Sequence, residues 1–262
     1  MGNIHPTAVI DSHAQLDSSV TVAPYAVIGA QVCIDAGTSI GAHCVIDGRT
    51  RIGKNNRIFQ FASIGAPPQD KKYGGEATAL EIGDDNTIRE FVTINTGTVQ
   101  DAGTTRLGND NWIMAYVHVA HDCQLGSHII LANAVQLAGH VQLGDYVFLG
   151  GLTGVHQFVR IGAHAMAAFQ SRLAQDVPPF VTVAGNPARA ESINAEGLRR
   201  RGFSAERIAG IRRMARILYR RGLSLNAALE AMEKECAENP ALNADITPLT
   251  DFLKKSERGI VR

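Results

Sequence analysis

The sequence predicts a mainly β protein: a solenoid of short parallel strands followed by a small helical domain. Three observations predict it. Aliphatic residues recur every six positions over most of the chain, two irregular segments interrupt that recurrence, and the last seventy residues change to helical spacing.

The first run is unbroken: Ile4, Ile10, Leu16, Val22, Ile28, Ile34, Ile40, Ile46, Ile52, Ile58 and Ile64. The residue two before each is small or compact, as at Ala8, Ala14, Val20, Ala26, Val32, Thr38, Cys44 and Thr50. A helix needs a period near 3.6 and a half-buried strand a period of two, so neither explains a period of six. Stacked coils built from hexapeptides do, with each aliphatic residue pointing inward. The period resumes at Ile82, Ile88 and Ile94, and again from Leu107 through Ile113, Val119, Leu125, Leu131, Leu137, Leu143, Leu149 and Val155 to Ile161.

Between these runs, residues 66–79 (APPQDKKYGGEATA) and 95–106 (NTGTVQDAGTTR) exchange aliphatics for Gly, Pro, Asp and Lys. They are expected to be loops leaving the solenoid, and long loops on a rigid scaffold tend to carry function. The prolines of VPPF (177–180) and GNPA (185–188) are expected to end the coils. Beyond them Ser204 precedes Ile208, Ile211, Ala215 and Leu218, and Ser224 precedes Leu225, Ala228, Leu229 and Met232, each a cap followed by an apolar helix face. The expected division is a catalytic solenoid over 1–190 and a helical domain over 191–262.

Composition excludes several classes. The 262 residues balance 25 basic against 25 acidic side chains, which gives no general attraction to nucleic acid or membrane. The balance is uneven, however: residues 1–190 carry 11 basic and 15 acidic groups, whereas 191–262 carry 14 and 10, so the tail suits an anionic partner. The four cysteines, Cys33, Cys44, Cys123 and Cys236, form no ladder or Cys-x-x-Cys pair and read as free thiols in a reducing compartment. No run approaches the roughly 18 apolar residues of a membrane helix, and the first residues lack the pattern of a signal peptide, so a cytoplasmic location is expected.

Function concentrates in residues 118–140, HVAHDCQLGSHIILANAVQLAGH, which hold four of the nine histidines. If three hexapeptides make one coil of 18 residues, residues 18 apart stack at about 4.8 Å. His121 then lies under Gly139 and Gln157, Asp122 under His140, and Ala138 under His156. Core filling is a weak explanation, because Val119, Leu125, Leu131 and Leu137 already occupy the inward positions; His5, His13, His43 and His128 are expected at the surface. Three imidazoles and a water would suit zinc, as in hexapeptide-repeat carbonic anhydrases, although no ligand motif accompanies them. General-base chemistry is favoured, with no metal. Imidazole titrates near neutrality, Asp122 can fix its tautomer, and the bare Gly139 N–H can donate to a developing oxyanion.

The stretches FASIGAPPQDKKYGGE (61–76), HVAHDC (118–123), LAGHV (137–141), GVHQF (154–158), AQDVPPF (174–180) and NAEGLRRRGF (194–203) resemble the UDP-N-acetylglucosamine 3-O-acyltransferase family. The resemblance implies a left-handed parallel β-helix of triangular section. It also implies a homotrimer that carries an R-3-hydroxyacyl group from acyl carrier protein to the sugar 3-hydroxyl, as the first step of lipid A synthesis, without a cofactor. In it His121 is the base, Asp122 assists, and the Gly139 amide faces the thioester oxygen. His118, His140, His156 and Gln157 line the cleft with Asp70 and Lys72 from the first loop. Asn194, Glu196, Arg200 and Arg201 meet the nucleotide, where a guanidinium can pair bidentately with a diphosphate. Phe169 stands at the acyl-chain ruler, where a benzyl group shortens the groove and favours a shorter chain. Asn95 and Thr96 replace residues bordering the sugar site in many members, leaving amide formation on a related amino sugar as an alternative. The related N-acyltransferases carry an extra domain before their repeats, whereas these hexapeptides begin by Ile4.

Overall fold

The computed structural model describes residues 4–262. Among them the strands fall into three sheets of nine, eight and ten strands, parallel throughout except at the last strand of the third, and through Gly154–Val155 each strand pairs with the third one after it in sequence. That ordering gives a coil of triangular section, one sheet per face, and the fold is the left-handed β-helix that the resemblance implies. In register along one face run Ile10, Ile28, Ile46, Ile64, Ile94, Val119, Leu137, Val155 and Leu173. Their side chains, with those of the other two faces, fill the prism as one continuous core in which the central members are almost fully enclosed. Most strands are two residues long. Strand propensity therefore contributes little, and the coils are held by this inward aliphatic column and the ladder of main-chain bonds between rungs.

The corners demand left-handed backbone. Tyr25, His43, Phe61, Phe91 and Tyr116 share one corner with φ between 57° and 63°. Such φ values cost non-glycine residues about 1 kcal/mol each. Here the cost is offset by stacking, because the rings of these five residues pile up at centroid separations of 4.8–5.3 Å. A second corner stacks His128, Tyr146, His164 and Phe180, and a third stacks His140 on Phe158.

The two loops leave where the period breaks, with narrower bounds than the sequence suggests. Ala66 ends one strand and Ala79 begins the next, Asn95 ends another, and Thr104–Leu107 is a full strand paired with Ala79–Ile82. Ile64 pairs with Ile94, 30 residues on rather than 18, so 12 extra residues bulge out. Ile82 pairs with Leu107, 25 residues on, so seven do so there.

Of the two proline segments, VPPF (177–180) does not stop the coils, whereas GNPA (185–188) does. Val181–Gly185 adds one more parallel rung beside Met166–Ala167, then reverses through Asn186 and Pro187 into the antiparallel strand Ala188–Ile193. Pro187 lies in the turn of that hairpin, where its missing N–H breaks no ladder bond. The hairpin covers the last edge of its sheet, and helix α1 (Ala195–Arg200) follows at once. Helix α2 (Ala205–Arg220) begins at Ser204, whose hydroxyl accepts from Arg207 N at 3.3 Å, and buries Ile208, Ile211, Met214, Ile217 and Leu218. Helix α3 (Leu225–Glu238) is capped in the same way by Ser224. The sequence reading did not foresee α4 (Asn243–Lys254), which contains Pro248; its Asp245 is tied to α2 by a forked pair to Arg207 at 2.6 and 2.9 Å.

Candidate active site

The eighteen-residue winding brings His121 directly under Gly139. A Cβ placed on Gly139 would lie 2.5 Å from the imidazole Cε1 and 2.7 Å from Nε2, so the ring rests against bare backbone. The next residue's N–H, at His140, donates to His121 O at 3.0 Å, fixing the register of this corner. Among the described residues no acceptor takes the Gly139 N–H, which lies at the wall of a cleft of about 500 Å³.

His121 Nδ1 sits 2.9 Å from Asp122 Oδ2. The Asp122 side chain is fully enclosed, and its charge is balanced by a cluster of donors from the second loop. Thr98 N donates to both oxygens at 2.9 and 3.0 Å, and Thr98 Oγ1 donates to Oδ2 at 2.6 Å. A carboxylate accepting several such bonds is held in one orientation. It therefore holds the His121 proton on Nδ1 and leaves Nε2 free to accept one from a substrate. Thr98 was missed in the sequence because nothing in its local pattern distinguishes it; only closure of the loop places it on Asp122.

His118 also lines the cleft, its Nδ1 2.8 Å from Thr93 Oγ1. Burial, with a smaller contribution from His121, pushes its pKa down, so His118 is a neutral polar wall near neutrality. His156 completes the imidazole lining from the coil above. Gln69 of the first loop reaches the cleft, as do Gln136, Gly154 and Arg172, which follow His118 in register up one sheet face. Applying the 18-residue step to His118 as well as to His121 would have found this column. Cys123, beside the dyad, is an inert thiol: burial pushes its pKa up to about 12.

Other candidates lie apart from this cleft within one chain. Asp70 accepts from Lys72 N at 3.0 Å at the tip of the first loop, next to Gln69. Gln157 is exposed beside His156. His140 stands behind His121, edge-on to it at 5.0 Å between centroids. Asn95 and Thr96 face inward rather than toward a ligand. Asn95 Nδ2 donates to Ala66 O and Pro67 O at 3.3 and 3.0 Å, and Thr96 shares a hydroxyl contact of 3.2 Å with Thr78, so both tie the roots of the two loops together. Phe169 is 62% exposed and packs over Gly151.

The four nucleotide candidates gather at a different corner, one hexapeptide on from the dyad. Asn194 caps α1 and donates to His164 O at 3.0 Å. Arg201 Nη2 donates to Tyr146 O at 3.2 Å, its guanidinium lies 5.0 Å above the Tyr146 ring, and its Nη1 is buried without a partner. Glu196 pairs with Arg199 and Arg200 on the open face of α1. His164, which the sequence reading passed over, lies between the Tyr146 and Phe180 rings, and burial, reinforced by the Arg201 charge, pushes its pKa down to about 4.

A metal reading has some geometric basis, since ligand atoms of His121, Asp122 and His140 all lie within 4.8 Å of one another. Both imidazole Nδ1 atoms, however, already face carboxylate oxygens as hydrogen-bond partners, at 2.9 Å on Asp122 and 2.7 Å on Asp101.

Comparisons with known proteins agree with this fold. A family model described as UDP-N-acetylglucosamine O-acyltransferase, domain 2, matches residues 176–261, and one for six bacterial transferase hexapeptides matches 104–139. A curated acyl-[acyl-carrier-protein]–UDP-N-acetylglucosamine O-acyltransferase of Janthinobacterium sp. (strain Marseille) is 63% identical over 262 residues, covering 100% of both chains. That of Herminiimonas arsenicoxydans is 61% identical over the same full extent. Among solved structures, the UDP-N-acetylglucosamine acyltransferase of Francisella novicida is 43% identical with a TM-score of 0.94, covering 99% of this chain and 94% of its own. The Arabidopsis enzyme is 32% identical with a TM-score of 0.85, covering 99% and 100%.

Proposed function

The chain belongs to the acyl-[acyl-carrier-protein]–UDP-N-acetylglucosamine O-acyltransferase family, and we propose that His121 performs its acyl transfer as a general base. As an enzyme of this family it moves an acyl group from acyl carrier protein to UDP-N-acetylglucosamine. On our reading the group is an R-3-hydroxyacyl chain, the acceptor atom is the sugar 3-hydroxyl, and the reaction is the cytoplasmic first step of lipid A synthesis. The single observation carrying the mechanism is the His121–Asp122 contact at 2.9 Å against the bare backbone of Gly139.

His121 Nε2 takes the hydroxyl proton as the sugar oxygen attacks the thioester carbon. Asp122 stabilises the imidazolium that results. The Gly139 N–H donates to the oxygen on which charge collects. Collapse of the tetrahedral intermediate breaks the C–S bond, and the imidazolium returns its proton to the leaving pantetheine sulfur. No protein nucleophile intervenes, in keeping with the inert Cys123 thiol. The residues present supply base, orienting carboxylate and oxyanion donor, so the mechanism calls on no metal or cofactor.

The substrate-binding set is Asp70, Lys72, His118, His140, His156 and Gln157 for the sugar and thioester, and Asn194, Glu196, Arg200 and Arg201 for the nucleotide. Because the nucleotide set stands at a different corner from the dyad, a site using both takes them from two protomers, which supports a homotrimer. Exposed apolar side chains along the prism, including Phe61, Phe91, Tyr116 and Leu152, suit burial between copies. The solenoid of 1–190 is the catalytic unit and the helical region of 191–262 the site of carrier-protein approach. Among the described residues no helix is long and apolar enough to cross a membrane.

The test is a transfer assay with UDP-N-acetylglucosamine and R-3-hydroxyacyl carrier protein. His121→Ala is expected to lower turnover by about a hundredfold or more, the weight of a general base. Turnover within fivefold of wild type would remove His121 from that role.

A further inference from the structure

We propose that Asp101 is a positioning residue for the base, acting through His140. The inference rests on His121 being the base. Asp101 belongs to the second loop, and its Oδ2 lies 2.7 Å from His140 Nδ1. His140 is nearly enclosed, with 12% of its side chain exposed, while Asp101 is half exposed. The His140 ring lies flat on Phe158, with centroids 4.3 Å apart and planes 8° from parallel, so its plane is fixed and only its hydrogen bonding decides which nitrogen faces where. Perpendicular to it, at 88°, stands the ring of His121.

The consequence follows from the next acceptor available. Asp122 Oδ2, the oxygen that holds His121 at 2.9 Å, is only 3.9 Å from His140 Nδ1. With Asp101 in place the His140 proton points away from the dyad. Without it, a small movement gives that proton to Asp122, and two imidazoles then compete for one oxygen. Asp101 therefore protects the His121–Asp122 bond by occupying the neighbour that would disturb it.

The loop is built to hold both carboxylates at once. Thr98, three residues before Asp101, supplies the donors on Asp122. Its carbonyl accepts from Asp101 N at 3.4 Å and Gly103 N at 3.1 Å, closing the loop on itself. Gly97 N and Ala79 O are paired at 3.1 Å, and Ala79 N donates to Gly103 O at 2.9 Å, so both ends are pinned to the neighbouring strand. One seven-residue bulge thus braces the dyad directly through Thr98 and indirectly through Asp101.

Asp101→Ala tests this with two readouts in the full-length protein. Turnover is expected to fall by roughly tenfold, the usual weight of an outer partner that orients an imidazole, with KM for UDP-N-acetylglucosamine unchanged within about threefold. In spectra of ¹⁵N-histidine-labelled protein, the His140 Nδ1 proton is expected to shift as its acceptor changes from Asp101 to Asp122, and the His121 Nδ1 proton to move with it. Asp101→Asn keeps an oxygen acceptor and is expected to recover most of the turnover. Because Asp101 acts through His140, adding Asp101→Ala to His140→Ala should lower turnover by no more than about twofold further, as a coupled pair requires. Turnover of Asp101→Ala within twofold of wild type, unmoved Nδ1 proton resonances of His140 and His121, or a full tenfold loss in the His140→Ala background would each overturn the proposal. The spectra need no turnover, so a failure of His121 as the base would be seen separately in His121→Ala.

Discussion

Gly139→Ala places one methyl group against the base and should cost activity far more than stability. The new carbon would lie 2.5 Å from His121 Cε1, 2.7 Å from Nε2 and 3.1 Å from Nδ1. Carbon atoms in contact prefer separations of at least about 3.5 Å. The ring must therefore retreat by about 1 Å, and the difference is forced by backbone below it and by Asp122 behind it. A misplacement of that size at the reacting centre costs about a hundredfold in rate. Gly139 does not need left-handed backbone, so alanine brings no conformational strain. The imidazole can also rotate into the cleft, which puts the folding cost near the low end of overpacking, about 1 kcal/mol. For a domain of this size that lowers Tm by about 2–4 °C. Steady-state transfer, followed by mass spectrometry of the acylated nucleotide sugar, reads the first effect, and thermal melting reads the second. A variant with wild-type turnover would mean that the ring does not work from the position it occupies here. A variant that is mainly unfolded would mean that the methyl is resisted by the frame and not by the base.

Three further outcomes follow from the same geometry. Asp122→Asn turns an amide toward the Thr98 N–H, leaving donors face to face in an enclosed site; turnover should fall by about a hundredfold and stability by about 1–3 kcal/mol, and equal turnover would show that the carboxylate does not orient His121. His164, with its pKa depressed to about 4 in the fold against 6.5 as the reference, stays neutral while the unfolded chain takes up a proton. Its contribution is absent above pH 6.5 and becomes destabilising as pH falls from 6.5 toward 4; His164→Phe, which keeps the stack on Tyr146 and Phe180, should flatten the pH dependence of chemical denaturation in that window, and an unchanged slope would refute the assignment. Phe169→Gly should shift preference toward longer 3-hydroxyacyl chains in a panel of carrier-protein thioesters; a wild type that already prefers the longest chain would contradict the role given to the benzyl group.

The period of six made the prism legible because each coil repeats the same burial problem: an inward aliphatic residue is required wherever a face closes. The vertical pairing of His121 with Gly139 followed from counting alone, since no insertion intervenes between them. The supports of the dyad were not legible. Thr98 and Asp101 lie in a loop whose path is set by its own closure and by Asp122 and His140, which local pattern does not encode. Asn95 and Thr96 illustrate the same limit, as positions beside a site in the sequence that the fold turns inward to join two loops. The coil end was misjudged at Pro178 and Pro179, after which Val181–Gly185 still adds a parallel rung, whereas Pro187 does end the coils, in the turn between two strands. Pro248 was invisible as part of a helix for a related reason: Phe252, Leu249 and Ile246 bury the face of α4 that outweighs its missing bond.

The most direct test of the base is chemical rescue of the His121→Ala protein. The cavity left beside Asp122 is the size of an imidazole and opens to the cleft. Added imidazole should restore transfer from R-3-hydroxyacyl carrier protein to UDP-N-acetylglucosamine in proportion to its unprotonated concentration, while leaving the wild-type rate unchanged. A His121→Ala protein that turns over at the wild-type rate with no imidazole present would contradict the account.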